Sequence, residues 1–525
     1  MSLHPILIAG RWRAAKAGGA FHAENPATGQ TLPDEFPVST WADCDEAAGA
    51  AAAAASLLRL IPPEQIGSFL TRFAARLEAR KTELVEIAHA ETALPKSPRL
   101  AEVELPRTTG QLRQAAAAAL EGSWALPTID TKLNIRSILG PLGPVLVFGP
   151  NNFPFAYNGV AGGDFAAAIA AGNPVIAKAH PSHPNTSRLL AQEALAAVLD
   201  SHLPPATVQM IYRLAPEDGL RLVADRRLGA VGFTGTRAAG LKLKAAADAA
   251  GKPVYVELSS LNPVLVLPGA LAERAPKIVE ELTASCLMAG GQFCTSPGLV
   301  ILFAGAAAGQ FVAGVKARLE SVPPATLLSS GVARNLAASV ATLQAAGAEL
   351  VTGGSPLAGN RFANTLLCVS GAKFLASPQK LQTEAFGNAS LVVLARDVDE
   401  AVSVLSHLEG NLTGSIYSGT AGEDDSLYEK LAPLLRARVG RLLNDKMPTG
   451  VAVTPAMNHG GPFPATGHPG FTAVGIPASL RRFAMLQCFD QVRPHRLPAA
   501  LQNKNPTGKM WRLIDGQWSQ ADIAQ

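Results

Sequence analysis

Val145-Leu146-Val147-Phe148-Gly149-Pro150-Asn151-Asn152-Phe153-Pro154 is an apolar run stopped by a Gly-Pro turn, the pattern of a buried strand that ends in a loop. It opens a regular series. The spacing predicts helix over about 161–171, strand over 174–178, helix over about 184–199, strand over 208–212, helix over about 217–225, strand over 229–233, helix over about 236–250 and strand over 254–258. Repeated βα units of this length specify a parallel, doubly wound sheet. Such sheets bind ligands at the carboxyl ends of their strands.

On the C-terminal side a second αβ series begins near Glu273, with strands over 299–303 and near 365–370 and 390–394 and a helix near 307–320. It predicts a second domain. On the N-terminal side residues 5–40 read as short strands and turns, and helices follow to about residue 120. Pro62 and Pro63 open one in which Ile66, Phe69, Leu70, Phe73 and Leu77 recur at helical spacing. Alternation from Thr131 to Ser137 predicts a strand that turns back through Gly140-Pro141-Leu142-Gly143 as an arm. The Gly/Pro-rich stretch from Pro448 to Pro477 has no period, and is expected to be an ordered loop over a site or an interface.

With 525 residues, 48% of them hydrophobic, the chain is globular and long enough for two or three packed units. Forty-five basic against 41 acidic residues give a net charge of +4 without a basic run, which argues against nucleic acid or a membrane surface as partner and leaves small acidic metabolites. Cys44, Cys286, Cys294, Cys368 and Cys488 form no C-x-x-C pair, so no zinc site or disulfide framework is expected and a reducing cytoplasm is. The start carries no secretory pattern. The Ala-rich run from Ala47 to Ile61 contains Arg59 and is too short to span a membrane.

Chemistry concentrates in Gly290-Gly291-Gln292-Phe293-Cys294-Thr295-Ser296-Pro297-Gly298, where a loop offers one thiol between a helix and a strand. Alone, such a cysteine is more often a small buried hydrophobe. Lys178 ends an apolar strand at the ligand edge, or snorkels to solvent. Glu257 places a carboxylate at the end of another strand, or is a solvated terminus or a cap. Asn152 offers an amide donor, or serves only its Pro-rich turn. Phe233-Thr234-Gly235-Thr236-Arg237-Ala238-Ala239-Gly240 joins a strand to a helix, a place that favours phosphate, or its glycines serve only helix–strand packing. It lacks the Lys and Ser/Thr of a P-loop, and no G-x-G-x-x-G follows the first strand, so a dinucleotide would bind in a nonstandard way. Together a thiol, a carboxylate, an amide donor and a βα phosphate site are the parts needed to oxidise an aldehyde through a thioester.

The series Gly149-Pro150-Asn151-Asn152-Phe153-Pro154, Gly172-Asn173-Pro174-Val175-Ile176-Ala177-Lys178, Phe233-Thr234-Gly235-Thr236, Val256-Glu257-Leu258, Gly291-Gln292-Phe293-Cys294 and Glu384-Ala385-Phe386-Gly387 resembles the aldehyde dehydrogenases in order and spacing. The resemblance implies two Rossmann-like α/β domains with parallel sheets and a small β oligomerisation arm. Residues 1–125 and 145–256 would bind the cofactor, 257–476 carry catalysis, 126–144 and 477–500 form the arm, and 501–525 a C-terminal tail. It implies Cys294 as nucleophile, Glu257 as general base, and Asn152 with the Cys294 N–H as oxyanion hole. For the cofactor it implies Lys178 at the adenosine ribose, the turn from Gly235 through Thr236 to Gly240 and Leu258 near the pyrophosphate and nicotinamide, and Glu384 and Phe386 at the nicotinamide ribose and ring. Phe153, Tyr157, Phe293 and Phe463 would face the substrate. No metal is implied. A homodimer or homotetramer is.

Three departures matter. Lys178 is followed by Ala179-His180-Pro181, without the acid that grips a free ribose 2′-OH in many members, so NADP is favoured over NAD. Arg213 is a candidate for its 2′-phosphate, with a solvated arginine the alternative. The family's Glu-Leu-Gly-Gly is Glu257-Leu258-Ser259-Ser260, and its usual Trp before the amide is Asn151.

These features, with Met457-Asn458-His459-Gly460-Gly461-Pro462-Phe463-Pro464 and Leu501-Gln502-Asn503-Lys504-Asn505-Pro506, are similar to a branch of 2-oxoglutarate semialdehyde (2,5-dioxopentanoate) dehydrogenases and NADP-dependent fatty aldehyde dehydrogenases. The first substrate is favoured, with Arg107 and Arg113 as candidates for its distal carboxylate. A thiol hydrolase or acyltransferase without nucleotide is the competing class, and it requires a histidine paired with Cys294. A noncatalytic member would be expected to lose Cys294 or Glu257.

Overall fold

A computed structural model of the chain describes residues 3–16 and 18–524. Its first seven-stranded sheet runs, edge to edge, Val254–Glu257, Ala230–Thr234, Val145–Phe148, Val175–Lys178, Val208–Ile211, Ile6–Ile8 and Arg11–Arg13. The first five are parallel, as the βα series predicts, and the last two turn antiparallel to close the edge. Register carries function here. Phe148 pairs with both Lys178 and Phe233, and Thr234 pairs with Glu257, so the Asn152 turn, Lys178 and Glu257 leave the sheet at one level of its carboxyl edge.

Helix Pro63–Ala79 packs by the predicted face, burying Ile66, Phe69, Leu70, Phe73 and Leu77. Phe165, from helix Gly163–Ala170, meets both Phe69 and Phe73 within 6.4 Å. Each such burial contributes roughly 1.5–3 kcal/mol. The Ala-rich run is helix Trp41–Leu58, and among the described residues no helix is long and apolar enough to cross a membrane.

The second sheet runs Glu349–Thr352, Thr365–Ser370, Ala389–Ala395, Leu299–Phe303, Val264–Val266, Asn411–Tyr417 and Val439–Asn444, parallel except for its first strand. Val264–Val266, Asn411–Tyr417 and Val439–Asn444 escaped the sequence reading. The chain crosses between the sheets through Leu258 to Pro263, so the carboxyl edge of the first meets the amino ends of the second.

The predicted arm strand begins later than expected, since Thr131 to Asn134 form the hairpin turn between Thr128–Asp130 and Ile135–Pro141. Ala484–Asp490 joins the same sheet. Residues 501–525, expected as a tail, contribute two strands to it, Arg512–Ile514 and Gln517–Ser519. Fully buried Arg512 fixes them by donating to the carbonyls of Gln502, Asn503 and Ala521. Residues between Val439–Asn444 and the next helix, Ala478–Arg481, form no helix or long strand, as the Gly/Pro content predicts.

Candidate active site

After helix Pro268–Leu287 the chain turns through Ala289, Gly290 and Gly291, all at positive φ, and delivers Cys294 between the two sheets. Asn262, in the crossover, clamps this loop by donating its side-chain N–H groups to the carbonyls of Cys294 (2.9 Å) and Ser296 (2.8 Å). The glycine pair is packed against protein: a Cβ on Gly291 would lie 2.1 Å from the Gly387 carbonyl oxygen, and one on Gly290 would lie 3.2 Å from the Gln292 amide nitrogen.

Glu257 ends its strand fully buried and meets a histidine from the long loop, with Oε1 3.1 Å from His459 Nε2. The same Nε2 stands 3.5 Å from Cys294 Sγ. Glu257 Oε2 is buried without a partner. Burial pushes the Cys294 thiol well above its ordinary range, the Glu257 carboxylate adds to the rise, and Arg107 opposes it. The resting group is therefore a thiol, with two bases in reach of its proton.

The sequence reading left His459 without a role. Its placement depends on contacts across the molecule: Leu258 N–H donates to Ala465 O, Gly467 N–H to Val256 O, His459 N–H to Thr472 Oγ1 and Ala473 N–H to His459 O. The available signal was Gly460-Gly461, where a Cβ would strike the Phe471 and Asn411 carbonyls at 2.1 and 2.2 Å. A loop packed that tightly fixes the side chain beside it.

Asn152 is buried, and its amide donates to Gln292 O (2.9 Å). One of its two N–H groups is thus spent on holding the cysteine loop, and the other remains for an oxyanion. Arg99 donates to Asn152 O and pairs with buried Glu104, whose other oxygen accepts from Phe155 and Ala156 N–H.

Phe153, Tyr157 and Phe293 form one aromatic cluster, with Phe153 centred 5.1 Å from Tyr157 and 5.3 Å from Phe293. Tyr157 also faces His459 at 5.9 Å. Phe463 does not join them. It is 59% exposed, because its carbonyl is tied to Gly410 N–H while the loop turns inward earlier, at His459.

Arg107 lies over Tyr157 and donates to its hydroxyl (2.8 Å). Arg441, unnoticed in the sequence, is half-buried near Cys294 and Tyr157, and desolvation pushes its pKa below the ordinary range. It donates to the Pro448 and Gly450 carbonyls, and its Nε is buried without a partner. Among the described residues neither guanidinium has a carboxylate partner. Arg113 does not reach the pocket, because it is paired with Glu78 on the surface.

At the carboxyl edge of the first sheet Lys178 is half-buried, and its side chain makes no hydrogen bond among the described residues. Desolvation, and then Arg213, push its pKa down to about 8. Thr236 caps helix Arg237–Ala249 by accepting from Ala239 N–H. Gly235 and Gly240 are packed closely under side chains, since a Cβ would meet the Phe233 ring at 2.7 Å and Leu258 Cδ2 at 2.2 Å respectively. Burial raises the Glu384 carboxyl to about 7, opposed by hydrogen bonds from the Ser259 hydroxyl and Ser260 N–H. Phe386 is half-buried on the same loop. Ser260, where the family has glycine, accepts from Leu412 N–H and so ties the crossover to the second sheet. An unpaired, desolvated lysine, a capped helix N-terminus and a carboxylate make a donor and acceptor set that fits a dinucleotide.

The model of the aldehyde dehydrogenase family matches residues 12–461. Alpha-ketoglutaric semialdehyde dehydrogenase 2 of Azospirillum brasilense is 37% identical, over 98% of this chain and 100% of that protein. Alpha-ketoglutaric semialdehyde dehydrogenase of Acinetobacter baylyi is 36% identical, over 92% of this chain and 93% of its own. Among solved structures, NADP-dependent glyceraldehyde-3-phosphate dehydrogenase from Bacillus halodurans complexed with NADP superposes with a TM-score of 0.77 at 22% identity, covering 94% of this chain and 100% of that one. Aldehyde dehydrogenase C of Pseudomonas syringae, complexed with NAD+ and octanal, gives 0.80 at 21%, covering 94% and 98%. At these identities the likeness is one of fold.

Proposed function

The chain belongs to the aldehyde dehydrogenase family, and from that premise we propose that it oxidises 2-oxoglutarate semialdehyde to 2-oxoglutarate, with NADP preferred over NAD. The observation that carries the substrate is the pair Arg107 and Arg441, two guanidiniums beside Cys294 without a carboxylate of their own. A half-buried cation without a countercharge favours an anionic partner, and the distal carboxylate of an acidic semialdehyde supplies one. A fatty aldehyde does not. The two alpha-ketoglutaric semialdehyde dehydrogenases, alike over nearly their whole length, support the same substrate.

Cys294 adds to the aldehyde carbon as its proton passes to His459 or Glu257, and the oxyanion is met by the free Asn152 N–H and the Cys294 backbone N–H. Lys178, Arg213, Thr236 and Glu384 would hold the nicotinamide nucleotide, which supplies a hydride acceptor when bound. Glu257 then takes a proton from water as that water attacks the Cys294 thioester. His459 does not make this a hydrolase triad. A triad sets its acid on the second ring nitrogen, whereas here one Nε2 faces both the sulfur and the carboxylate.

The NADP preference rests on Ala179-His180-Pro181 and on Arg213, which lies close enough to Lys178 to depress its proton affinity. The arm supports a homodimer or homotetramer. Its edge strand Ala484–Asp490 is paired on one side only and exposes Met485 and Leu486. Five unpaired cysteines support a cytoplasmic setting. The test is an aldehyde panel, crossed with NADP and NAD and read at the nicotinamide absorbance. The semialdehyde should give the highest kcat/KM, and a preference for long-chain aldehydes would overturn the reading.

A further inference from the structure

We infer that Cys294, Glu257 and His459 also form a site for a thiophilic divalent cation of the zinc class, whose binding reversibly stops the enzyme. The three donor atoms, Cys294 Sγ, His459 Nε2 and a Glu257 carboxylate oxygen, lie within 4.8 Å of one another. Zinc bonds of about 2.3 Å to sulfur and about 2.0–2.2 Å to nitrogen and oxygen, set at tetrahedral angles, place sulfur about 3.5 Å from nitrogen and nitrogen about 3.3 Å from oxygen. The structure has 3.5 Å for Cys294 Sγ to His459 Nε2 and 3.1 Å for His459 Nε2 to Glu257 Oε1.

Two further observations point to a ligand between these atoms. His459 Nε2 faces both Cys294 Sγ, at 3.5 Å, and Glu257 Oε1, at 3.1 Å, so one ring nitrogen is shared between the two. Glu257 Oε2 is buried without any partner. A sulfur, nitrogen and carboxylate set selects zinc-like ions over magnesium or calcium. Its thiolate and carboxylate also balance the dication beside Arg107 and Arg441.

Binding is ligand exchange without redox change. The Cys294 S–H bond breaks, an S–metal bond forms and the proton leaves to solvent. The fourth position is left to water. With sulfur and general base both coordinated, neither addition to an aldehyde nor activation of water proceeds. The inference uses the same side chains as the proposed reaction but not the identity of its aldehyde.

The full-length enzyme, free of nucleotide and aldehyde, is titrated with cobalt(II) as a coloured surrogate for zinc. One equivalent per chain should bind, with thiolate-to-cobalt charge transfer in the near ultraviolet and the strong visible bands of a tetrahedral centre. Cys294→Ala should lose the charge-transfer band. In His459→Phe, affinity should fall by at least roughly 100-fold, the upper end of what loss of even an outer-shell partner costs. Zinc should inhibit turnover, and a chelator should restore it. A zinc ion held by the thiol alone would inhibit wild type and His459→Phe equally, and that outcome overturns the site, as does a cobalt spectrum unchanged in Cys294→Ala. Because the titration needs no turnover, its failure leaves the dehydrogenase reading standing, and an enzyme inactive on the semialdehyde still reports on the metal.

Discussion

His459 Nε2 lies 3.5 Å from Cys294 Sγ and the ring is fully buried, so a thiol whose pKa burial pushes up has a base against it before any aldehyde arrives.

His459→Phe removes that base and leaves Glu257 as the sole acceptor. General-base assistance is worth about 10²–10⁴-fold, and with one base remaining the lower figure is expected for the loss in kcat/KM at neutral pH. With Glu257 alone to assist, a larger share of the reactive thiolate must come from titration. Activity of the variant should therefore climb with pH over a range where wild type is flat. The pH profile of kcat/KM checks this, and the rate of iodoacetamide alkylation of the free enzyme should fall in parallel.

Glu257 acts after the hydride has left. Glu257→Gln keeps the shape and loses the proton acceptor, so acylation continues through His459 while deacylation stalls. Rapid mixing should show a burst of roughly one equivalent of NAD(P)H per chain, followed by a steady rate lowered by about 10²–10⁴-fold. Cys294→Ala should give neither burst nor turnover.

Arg107 and Arg441 are expected to separate acidic from neutral aldehydes. A hydrogen bond to a charged group is worth about 1.5–3 kcal/mol, so Arg107→Met or Arg441→Met should lower kcat/KM for the semialdehyde by about 10–100-fold. Values for an uncharged aldehyde of similar length should change little. Arg113→Met, whose arginine is engaged by Glu78 on the surface, should leave both unchanged.

The contrast between Arg107 and Arg113 marks what a single sequence can supply. Both follow from one helix, Leu105–Glu121, and only packing decides that the first turns inward and the second pairs outward. The first sheet was legible because each strand and helix carries its own period and ends in its own turn. Cys294, Glu257 and Asn152 were legible because their chemistry sits at those turns. His459 and Arg441 were not. They reach the site from a loop without period and from the strand Val439–Asn444, toward Cys294 and Glu257, which lie 147–202 positions earlier in the chain. Phe463 misled for the same reason, as its motif marked the right loop and the wrong side chain.

Lys178 gives the last prediction, and its sign differs between binding and folding. Desolvation and Arg213 hold its pKa at about 8, against 10.5 for a free lysine. A 2′-phosphate restores the charged form, so NADP binding above pH 8 must take up a proton, and its Kd should rise as pH goes from 8 towards 10. NAD has no such phosphate and should respond less. Folding runs the other way. Between about 8 and 10.5 the unfolded chain binds more protons at this residue than the folded one, so its contribution to stability rises with pH through that window. Fluorescence titration of both nucleotides at pH 7, 8.5 and 10, beside urea unfolding of the nucleotide-free protein, reads the two slopes. Lys178→Met should flatten both, and a wild-type NADP affinity constant across that range would show that the lysine does not meet the phosphate.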